Sequence, residues 1–459
     1  MAQLCPGSPI ARQHALIMAR RGASRETVGF RAPDSAVETG ACEELLLDRS
    51  PGHALIVGPS GSGKTRNVAI PNCLWYLGSL FALDIKGELA ETTVRRRREL
   101  GQQVHVLDPF GITHFVGAGI NPLDLPDPAS PEFEADCWMI VRLLTAGQMS
   151  LQDRFWDQSA EALLAAVIAY HIEFMPPENR NLAAVRTFLC NPDLSYQIET
   201  LLQRPELAAS HGLAADEFRN FLGHEGEKVR TSIRSTAMQH LSIFNGSQIV
   251  NATSTSTFDL DAITRGERIS IYLVVPPHRL ESFAALVRLW IAVVMTQIMR
   301  RTSAPDLPTL FLLDEVAQLG SFPLLRTAVT LLRGYGVRCM MFVQDVSQLR
   351  QLFPSDHATI VNNCSTVATL GHASYAMSRE LSDLLGDICA DDLFAMDGDT
   401  IAVRQFGQRT ARSKRVDYLK DDLFAGQFDR PRMAPIGPTG PGEHHSDALV
   451  GMNPASLRG

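Results

Sequence analysis

The sequence of 459 residues has no excess of positive charge. Its 42 Lys and Arg residues are outnumbered by 50 Asp and Glu residues, which gives a formal net charge of −8 at pH 7. A protein that binds nucleic acid through its overall charge is therefore excluded, and any contact with phosphates must come from a local basic patch or a pore. Aromatic residues are also few, at 7% of the chain. Proteins that bind single strands stack bases on aromatic side chains beside a basic groove. With so few aromatic residues, a stacking platform of this kind is not expected, nor is sequence-specific DNA recognition.

The sequence also lacks C-x-x-C pairs and long uninterrupted apolar runs. Its eight cysteines therefore predict reduced thiols in a cytosolic protein, with neither a zinc site nor a disulfide framework. The longest apolar run, Phe283–Met299, contains Arg288 and predicts a buried helix rather than a membrane span. No apolar segment follows Arg20 and Arg21, so a signal peptide is not expected. The chain as given is expected to be soluble.

Short apolar runs bounded by Gly, Asp or Pro recur along the sequence and predict buried parallel strands. They are His53–Val57, Leu80–Asp84, Val104–Leu107, Ile269–Val275, Leu310–Leu313, Cys339–Val343, Val367–Leu370 and Thr400–Val403. Between about residues 131 and 245 these runs give way to helical periodicity. The sequence therefore predicts an α/β fold with a mostly parallel sheet, interrupted by an all-α insertion domain.

The same patterns divide the chain into parts. Residues 1–50 have weak periodicity and predict a poorly defined N-terminal segment with at most one short helix. Residues 51–130 and 246–430 are predicted to form one α/β domain, which contains the motifs described next, and residues 131–245 the insertion domain. Residues 431–459 hold five Pro and five Gly and are predicted to be disordered.

The sharpest motif reads GPSGSGKT and follows the predicted strand His53–Val57 directly. It matches the G-x-x-x-x-G-K-[ST] pattern of a phosphate-binding loop. Glycines let backbone N–H groups surround phosphate oxygens, and the start of the next helix favours anions. Lys64 is expected to neutralise the β- and γ-phosphates of ATP, and the Thr65 hydroxyl to bind Mg²⁺. The predicted nucleotide-binding residues are Gly58, Pro59, Ser60, Gly61, Ser62, Gly63, Lys64 and Thr65.

Two acidic residues follow the apolar run Leu310–Leu313. Asp314 is predicted to hold Mg²⁺, and Glu315 to orient or deprotonate the attacking water. The long separation between Lys64 and Asp314 leaves room for further strands and for the helical insertion. It indicates a motor-type ATPase core rather than a small kinase or GTPase.

A third cluster surrounds the predicted strand Cys339–Val343. Gln344 stands at its end, where a polar side chain can sense the γ-phosphate. Arg333 and Arg338 precede the strand. An arginine there can reach the nucleotide of a neighbouring subunit, or it can be a surface charge near a helix C-terminus, and the residues alone leave both interpretations open.

Together these motifs resemble the type IV coupling proteins of the TraG/TraD-like conjugative DNA transfer group. These are RecA-like hexameric ATPases that link DNA or effector substrates to type IV secretion systems. The stretches that carry the resemblance, in the family's order, are GPSGSGKT (58–65), LDIKGE (83–88), RRRRELGQQVHVLDPFG (95–111), INPLD (120–124), RFWDQSAEALL (154–164), IYLVVPPHRL (271–280), LFLLDEVAQLG (310–320), LLRGYGV (331–337) and QDVSQL (344–349).

The resemblance implies a RecA-like P-loop NTPase core that uses ATP and Mg²⁺. It implies catalytic roles for Lys64, Glu315, Arg333 and Gln344, and metal contacts from Thr65 and Asp314. Arg333 would act in trans within a homo-hexamer, and the insertion would match the family's all-α domain. Asp84, Lys86 and Glu88 match a family box whose role the resemblance does not explain, and a salt-bridged turn is the simplest interpretation.

The predicted function is ATP-driven recruitment and translocation of DNA, or of protein, into a type IV secretion channel at the inner face of the plasma membrane. Expected partners are DNA bound without sequence specificity, a relaxase or effector protein, and inner-membrane components of the secretion system. One alternative is a nucleotide-gated adaptor for effectors with little turnover. Another is an FtsK/HerA-like duplex DNA pump, which the LLRGYGV and IYLVVPPHRL stretches disfavour. The family usually begins with two transmembrane helices that this sequence lacks, so either it docks on a membrane partner or the chain starts late.

Two groups of arginines are candidates for contact with DNA. Four consecutive residues on a helix cannot all face one groove, so Arg95–Arg98 predict a solvated face with some attraction for DNA or lipid. Arg230 and Arg234 stand four positions apart in the insertion, where they can contact phosphates or remain solvated.

Overall fold

The apolar runs form the strands of one large sheet. The computed structural model describes residues 15–20, 45–146, 154–208, 212–320, 322–371 and 374–430. Within these residues the strands are β1 Leu16–Arg20, β2 Leu45–Asp48, β3 His53–Val57, β4 Leu80–Asp84, β5 Gln103–Leu107, β6 Ile269–Val274, β7 Thr309–Leu313, β8 Val337–Val343, β9 Cys364–Thr369, β10 Thr400–Gln405 and β11 Ala411–Lys414. They are ordered β2-β1-β11-β10-β9-β3-β8-β7-β4-β6-β5.

The strands from β9 to β5 in this order are parallel, and β10, β11, β1 and β2 extend the sheet by antiparallel pairing. Both faces of the parallel part are covered. In β3, Leu55 and Val57 pack into one hydrophobic core, while Ala54 and Ile56 pack into the core on the other face. Because parallel strands end at the same edge of a sheet, the residues that follow β3, β4, β7 and β8 are brought together.

Helices cover the sheet and form the insertion. They are α1 Ile70–Trp75, α2 Glu88–Glu99, α3 Phe133–Thr145, α4 Arg154–Phe174, α5 Leu182–Leu189, α6 Leu194–Leu202, α7 Pro205–Ala208, α8 Leu213–Gly223, α9 Glu227–His240, α10 Ser247–Thr253, α11 Asp261–Thr264, α12 Pro277–Leu280, α13 Ala284–Met299, α14 Pro323–Leu331, α15 Val346–Leu352, α16 His357–Asn362, α17 Tyr375–Leu385 and α18 Ala390–Phe394. A π-helical turn, Thr65–Ala69, precedes α1. The predicted α/β fold is confirmed.

The described residues between 131 and 245 form helices without a strand, and helices continue to Thr264. The apolar helix α13 is buried between these helices and the sheet. Its Trp290 donates a hydrogen bond to the carbonyl of Ile120 (2.9 Å). Its Arg288 is also buried and donates to the carbonyls of Leu319 (2.8 Å) and Ala146 (2.9 Å). Phe283–Met299 is therefore largely the buried helix that the sequence predicted. In the part of the chain that the structure describes, no helix combines the length and the apolar character that crossing a bilayer requires.

The prediction for residues 1–50 is wrong for the parts that are described. Leu16–Arg20 and Leu45–Asp48 are strands paired with each other, and β1 joins the sheet through β11. Arg20 of β1 is paired with Lys414 of β11, far along the sequence, so local periodicity does not reveal the place of β1 in the sheet. The tail predicted to be disordered, 431–459, lies outside the described residues.

Candidate active site

The phosphate-loop motif forms a tight turn between β3 and the helix that begins at Thr65. Gly61 and Gly63 have φ angles of 77° and 89°, which residues with a Cβ rarely adopt. A Cβ on Gly63 would also collide with Oδ1 of Asn67. The two glycines are therefore required by the backbone of the loop itself.

Lys64 lies inside this loop. Its Nζ atom donates hydrogen bonds to the carbonyls of Gly58 (2.5 Å) and Pro59 (3.2 Å). Burial lowers the pKa of Lys64, and the nearby carboxylates of Glu315 and Asp314 act in the opposite direction. The ammonium group therefore faces the acidic pair predicted from the second motif.

Asp314 and Glu315 follow β7 at the same edge of the sheet. In the described residues Glu315 is the one non-glycine residue with a positive φ, 51°. This conformation costs a β-carbon-bearing residue about 1 kcal/mol or more and is concentrated at functional sites. The amide nitrogen of Gln344, which follows β8, donates to both carboxylate oxygens of Glu315 at 2.9 Å. Gln344 thus fixes the direction in which the Glu315 carboxylate points.

The predicted residues line one cleft together with residues that the sequence did not assign. Its walls are formed by Ser60, Gly61, Ser62, Gly63, Lys64, Thr65, Asp314, Glu315 and Gln344, and by Arg66, Asp84, Ile85, Lys86, Glu88, Pro277 and Gln318. Gly58 and Pro59 lie beneath it and supply the two carbonyls that hold Lys64.

Asp84 is part of this cleft because β4 pairs with β7. The register places Leu83 opposite Leu313, so the next residues, Asp84 and Asp314, are neighbours. Burial raises the pKa of Asp84 to about 7, and burial together with the Glu315 charge raises that of Asp314 to about 6. The carboxylate of Asp84 accepts backbone hydrogen bonds from Ala90 (2.9 Å) and Lys86 (3.4 Å).

The interpretation of this segment as a salt-bridged turn is therefore wrong. Asp84 binds backbone amides around the start of α2, and the Lys86 side chain is exposed at the cleft. The order of strands in the sheet, which the sequence does not reveal, creates the contact between the two acidic motifs.

We expect the stability of the protein without nucleotide or Mg²⁺ to fall as the pH rises towards 7. The pKa of Asp84 is raised from 3.8 to about 7 in the folded chain, so above pH 4 the folded state keeps a proton that the unfolded state loses. The stabilisation is complete below the unfolded pKa and is lost as the pH rises through the folded pKa. Asp84→Asn cannot ionise, so its unfolding temperature should decline less between pH 5 and 8 than that of the wild type. Asp306→Asn, an exposed control, should follow the wild type, and an Asp84→Asn profile parallel to the wild type would contradict the prediction.

Arg333 and Arg338 are not in this cleft. Arg333 is exposed in the turn Leu332–Tyr335 before β8, whereas Gln344 follows β8. A strand of seven residues separates them by about 20 Å, so Arg333 cannot reach the cleft of its own chain. Arg338 is neither a trans-acting residue nor a surface charge, because it is 1% exposed and forms an ion pair with buried Asp48 at 2.7 Å.

Three of the candidate DNA-contacting arginines, Arg97, Arg230 and Arg234, donate hydrogen bonds within the protein. In the run 95–98, Arg97 is fully buried and donates to Ser270 Oγ (2.9 Å) and Gln102 Oε1 (2.7 Å). The interpretation of the whole run as a solvated face is therefore wrong at Arg97. Arg230 donates to the carbonyl of His224 and Arg234 to that of Asn191, both at 2.8 Å.

The family model described as type IV secretory system conjugative DNA transfer matches residues 12–417. Protein VirD4 of Agrobacterium fabrum is 29% identical over 342 residues, which cover 73% of this chain and 49% of VirD4. Conjugal transfer protein TraG of the same organism is 28% identical over 405 residues, which cover 84% of this chain and 59% of TraG. The chain thus spans about half the length of the curated relatives it matches.

Solved structures show the same fold. The plasmid coupling protein TrwB in complex with ADP and Mg²⁺ superposes with a TM-score of 0.62 at 16% identity, covering 90% of this chain and 96% of that chain. TrwB in complex with the non-hydrolysable ATP analogue ADPNP gives 0.60 at 14% identity, covering 80% and 86%. With a family model that matches most of its length, this chain belongs to the type IV secretory system conjugative DNA transfer family.

Proposed function

We propose that this chain is an ATP-hydrolysing coupling protein that recruits DNA, or a protein cargo, and moves it into a type IV secretion channel. The observation that carries the proposal is the convergence of Lys64, Asp314, Glu315 and Gln344 on one cleft, where Glu315 has a positive φ and Gln344 donates to its carboxylate. Family membership supports the class of cargo. The complexes of TrwB with an ATP analogue and with ADP and Mg²⁺ support the nucleotide and the metal.

The residues of the cleft fit a nucleotide with its metal ion. The loop amides that are free to face a ligand, among them that of Gly63, and the Lys64 ammonium group would bind the β- and γ-phosphates. The oxygens of Thr65 and Asp314 are the hard ligands that Mg²⁺ prefers, and a cation there offsets the cost of burying Asp314 beside Glu315. When bound, Mg²⁺ neutralises charge on the β- and γ-phosphates.

Glu315 is the proposed general base. The oxygen of a water molecule attacks the γ-phosphorus, the bond from that phosphorus to the β–γ bridging oxygen breaks, and the water proton passes to the Glu315 carboxylate. Gln344 keeps this carboxylate in place through the bonds to both oxygens, and its amide is the group that responds to the γ-phosphate.

Arg333 is proposed to act on the nucleotide of a neighbouring subunit. It is exposed and lies at the opposite end of β8 from its own cleft, so it can stabilise transition-state charge only in trans. This role implies a ring, for which we propose a homo-hexamer. We place the assembly at the cytoplasmic face of the plasma membrane, beside the inner-membrane components of the secretion system. Its cargo would be DNA, bound without sequence specificity, that arrives with a relaxase, or an effector protein.

The proposal is tested by steady-state ATP hydrolysis with and without single-stranded and double-stranded DNA. We expect DNA to raise the wild-type rate. Lys64→Ala should lower it by about 10²-fold or more, because the ammonium group stabilises charge that develops on the phosphates. Lys228→Ala, which removes an exposed lysine from α9, should keep the wild-type rate.

Other outcomes would contradict specific parts of the proposal. Absence of hydrolysis by the assembled wild-type protein with DNA present would overturn the motor and favour the nucleotide-gated adaptor. A rate of ATP hydrolysis that DNA does not change but that an effector protein raises would indicate that the cargo is protein.

A further inference from the structure

The segment that follows β11 contacts the phosphate loop and its helix through three consecutive residues. Arg415 donates from Nη1 to the carbonyl of Ser62 at 2.7 Å. The next residue, Val416, accepts a hydrogen bond at its carbonyl from the Asn67 side chain at 2.8 Å. Asp417 then forms a two-point ion pair with Arg66, at 2.7 and 2.6 Å. We call residues 415–417 the strap.

Arg415 is the centre of this arrangement. Besides Ser62, its guanidinium group donates to the carbonyl of Leu370, which follows β9, and to that of Thr400, the first residue of β10 (3.0 Å). Three separate segments of the chain are thus joined by one side chain. Asp397 and Asp399 lie close enough to favour its charge, yet its hydrogen bonds in the described residues go to carbonyls, and burial lowers its pKa.

The bond to Ser62 determines how the loop presents its backbone. In a trans peptide unit the carbonyl and the following N–H point in opposite directions. The carbonyl of Ser62 faces Arg415, so the N–H of Gly63 faces away from it. Gly63 has the left-handed φ that only glycine adopts easily, and no side chain of its own resists rotation of this peptide.

Resting on the function proposed above, we propose that Arg415 is a positioning residue for the triphosphate. It holds the peptide between Ser62 and Gly63 in the orientation that binds a phosphate oxygen, and it adds a cation beside the loop. Val416 and Asp417 fix the start of the helix behind the loop through Asn67 and Arg66. The strap therefore prepares the loop for the anion without touching it.

The test is the affinity of Arg415→Ala and Arg415→Lys for a fluorescent ATP analogue with Mg²⁺, measured beside KM and kcat for ATP. We expect Arg415→Ala to raise Kd and KM by roughly tenfold, the value of one charge-assisted hydrogen bond, while kcat changes much less. Arg415→Lys keeps the charge but not the fork of donors and should recover only part of the affinity. The control is Arg412→Ala, which removes an exposed arginine of β11 whose Nη1 lies 3.8 Å from Oδ1 of Asp392. The Kd of this variant for the analogue should equal that of the wild type.

A merely structural role would lower the unfolding temperature of the nucleotide-free protein and leave Kd unchanged in the folded fraction. Wild-type Kd and KM in folded Arg415→Ala would therefore overturn the inference. If Arg415→Ala does not fold, Arg415→Lys provides the test. Full wild-type affinity in Arg415→Lys would show that the fork of donors is not needed and would overturn the inference. Failure of the wild-type protein to bind the analogue would overturn the proposed function as well.

Discussion

Glu315→Gln should lower kcat for ATP hydrolysis by about 10²–10³-fold and leave the Kd for nucleotide within about twofold of wild type. Gln has the shape of Glu, and its side-chain oxygen can still accept from Gln344, so the strained turn after β7 is kept. What is lost is the carboxylate that we propose takes the proton from the attacking water. Single-turnover hydrolysis, with binding of a fluorescent nucleotide measured in parallel, separates these effects.

The matched control is Glu225→Gln, the same change at an exposed position of the insertion. It should hydrolyse ATP at the wild-type rate. A loss of less than fivefold in Glu315→Gln would remove Glu315 from the role of base, and a parallel loss of binding would show that it acts on the ground state.

The second large effect is expected from Asp48→Ala, far from the cleft. Asp48 is 2% exposed and Arg338 is 1% exposed, and they form an ion pair at 2.7 Å. Asp48 also accepts hydrogen bonds from the hydroxyl groups of Ser50 and Thr366, both at 2.6 Å. Removal of one partner from a buried ion pair typically costs about 3–5 kcal/mol of folding free energy. Urea unfolding monitored by circular dichroism measures the loss.

An exposed ion pair supplies the comparison. Arg95 and Asp429 are joined at 2.8 Å, but both are accessible to solvent. Asp429→Ala should therefore lower the free energy of unfolding by less than about 1 kcal/mol. Equal losses in the two variants would mean that burial does not govern the contribution of Asp48.

The sequence predicts most of the parallel sheet because a buried parallel strand leaves a local signature. His53–Val57 and Leu80–Asp84 are apolar runs bounded by turn residues, and they form β3 and β4 with the predicted bounds. β1, which lies between β2 and β11, is also apolar, but turn residues do not bound it and its pairing with β11 joins segments distant in sequence. The apolar run predicts a strand that starts at Cys339 and leaves Arg338 outside it, whereas β8 begins at Val337.

The residues of the cleft also fall into two groups, those that the sequence identifies and those that only the fold brings there. Lys64, Asp314, Glu315 and Gln344 each follow a strand in a motif, so the sequence identifies them and the structure brings them together. Asp84 lies beside Asp314 only because β4 pairs with β7.

Arg415 contacts Ser62 because the chain returns to a loop that it formed more than 300 residues earlier. No local sequence pattern predicts that Asp84 lies beside Asp314 or that Arg415 lies beside Ser62.

Arg288 connects the turn after the acidic pair to the end of α3. One guanidinium group binds the carbonyl of Leu319, a few residues after Glu315, and the carbonyl of Ala146, where α3 of the insertion ends. The two segments cannot separate without breaking a charge-assisted hydrogen bond in a buried environment. A displacement of the turn that follows the acidic pair would therefore have to break one of these hydrogen bonds or carry the end of α3 with it.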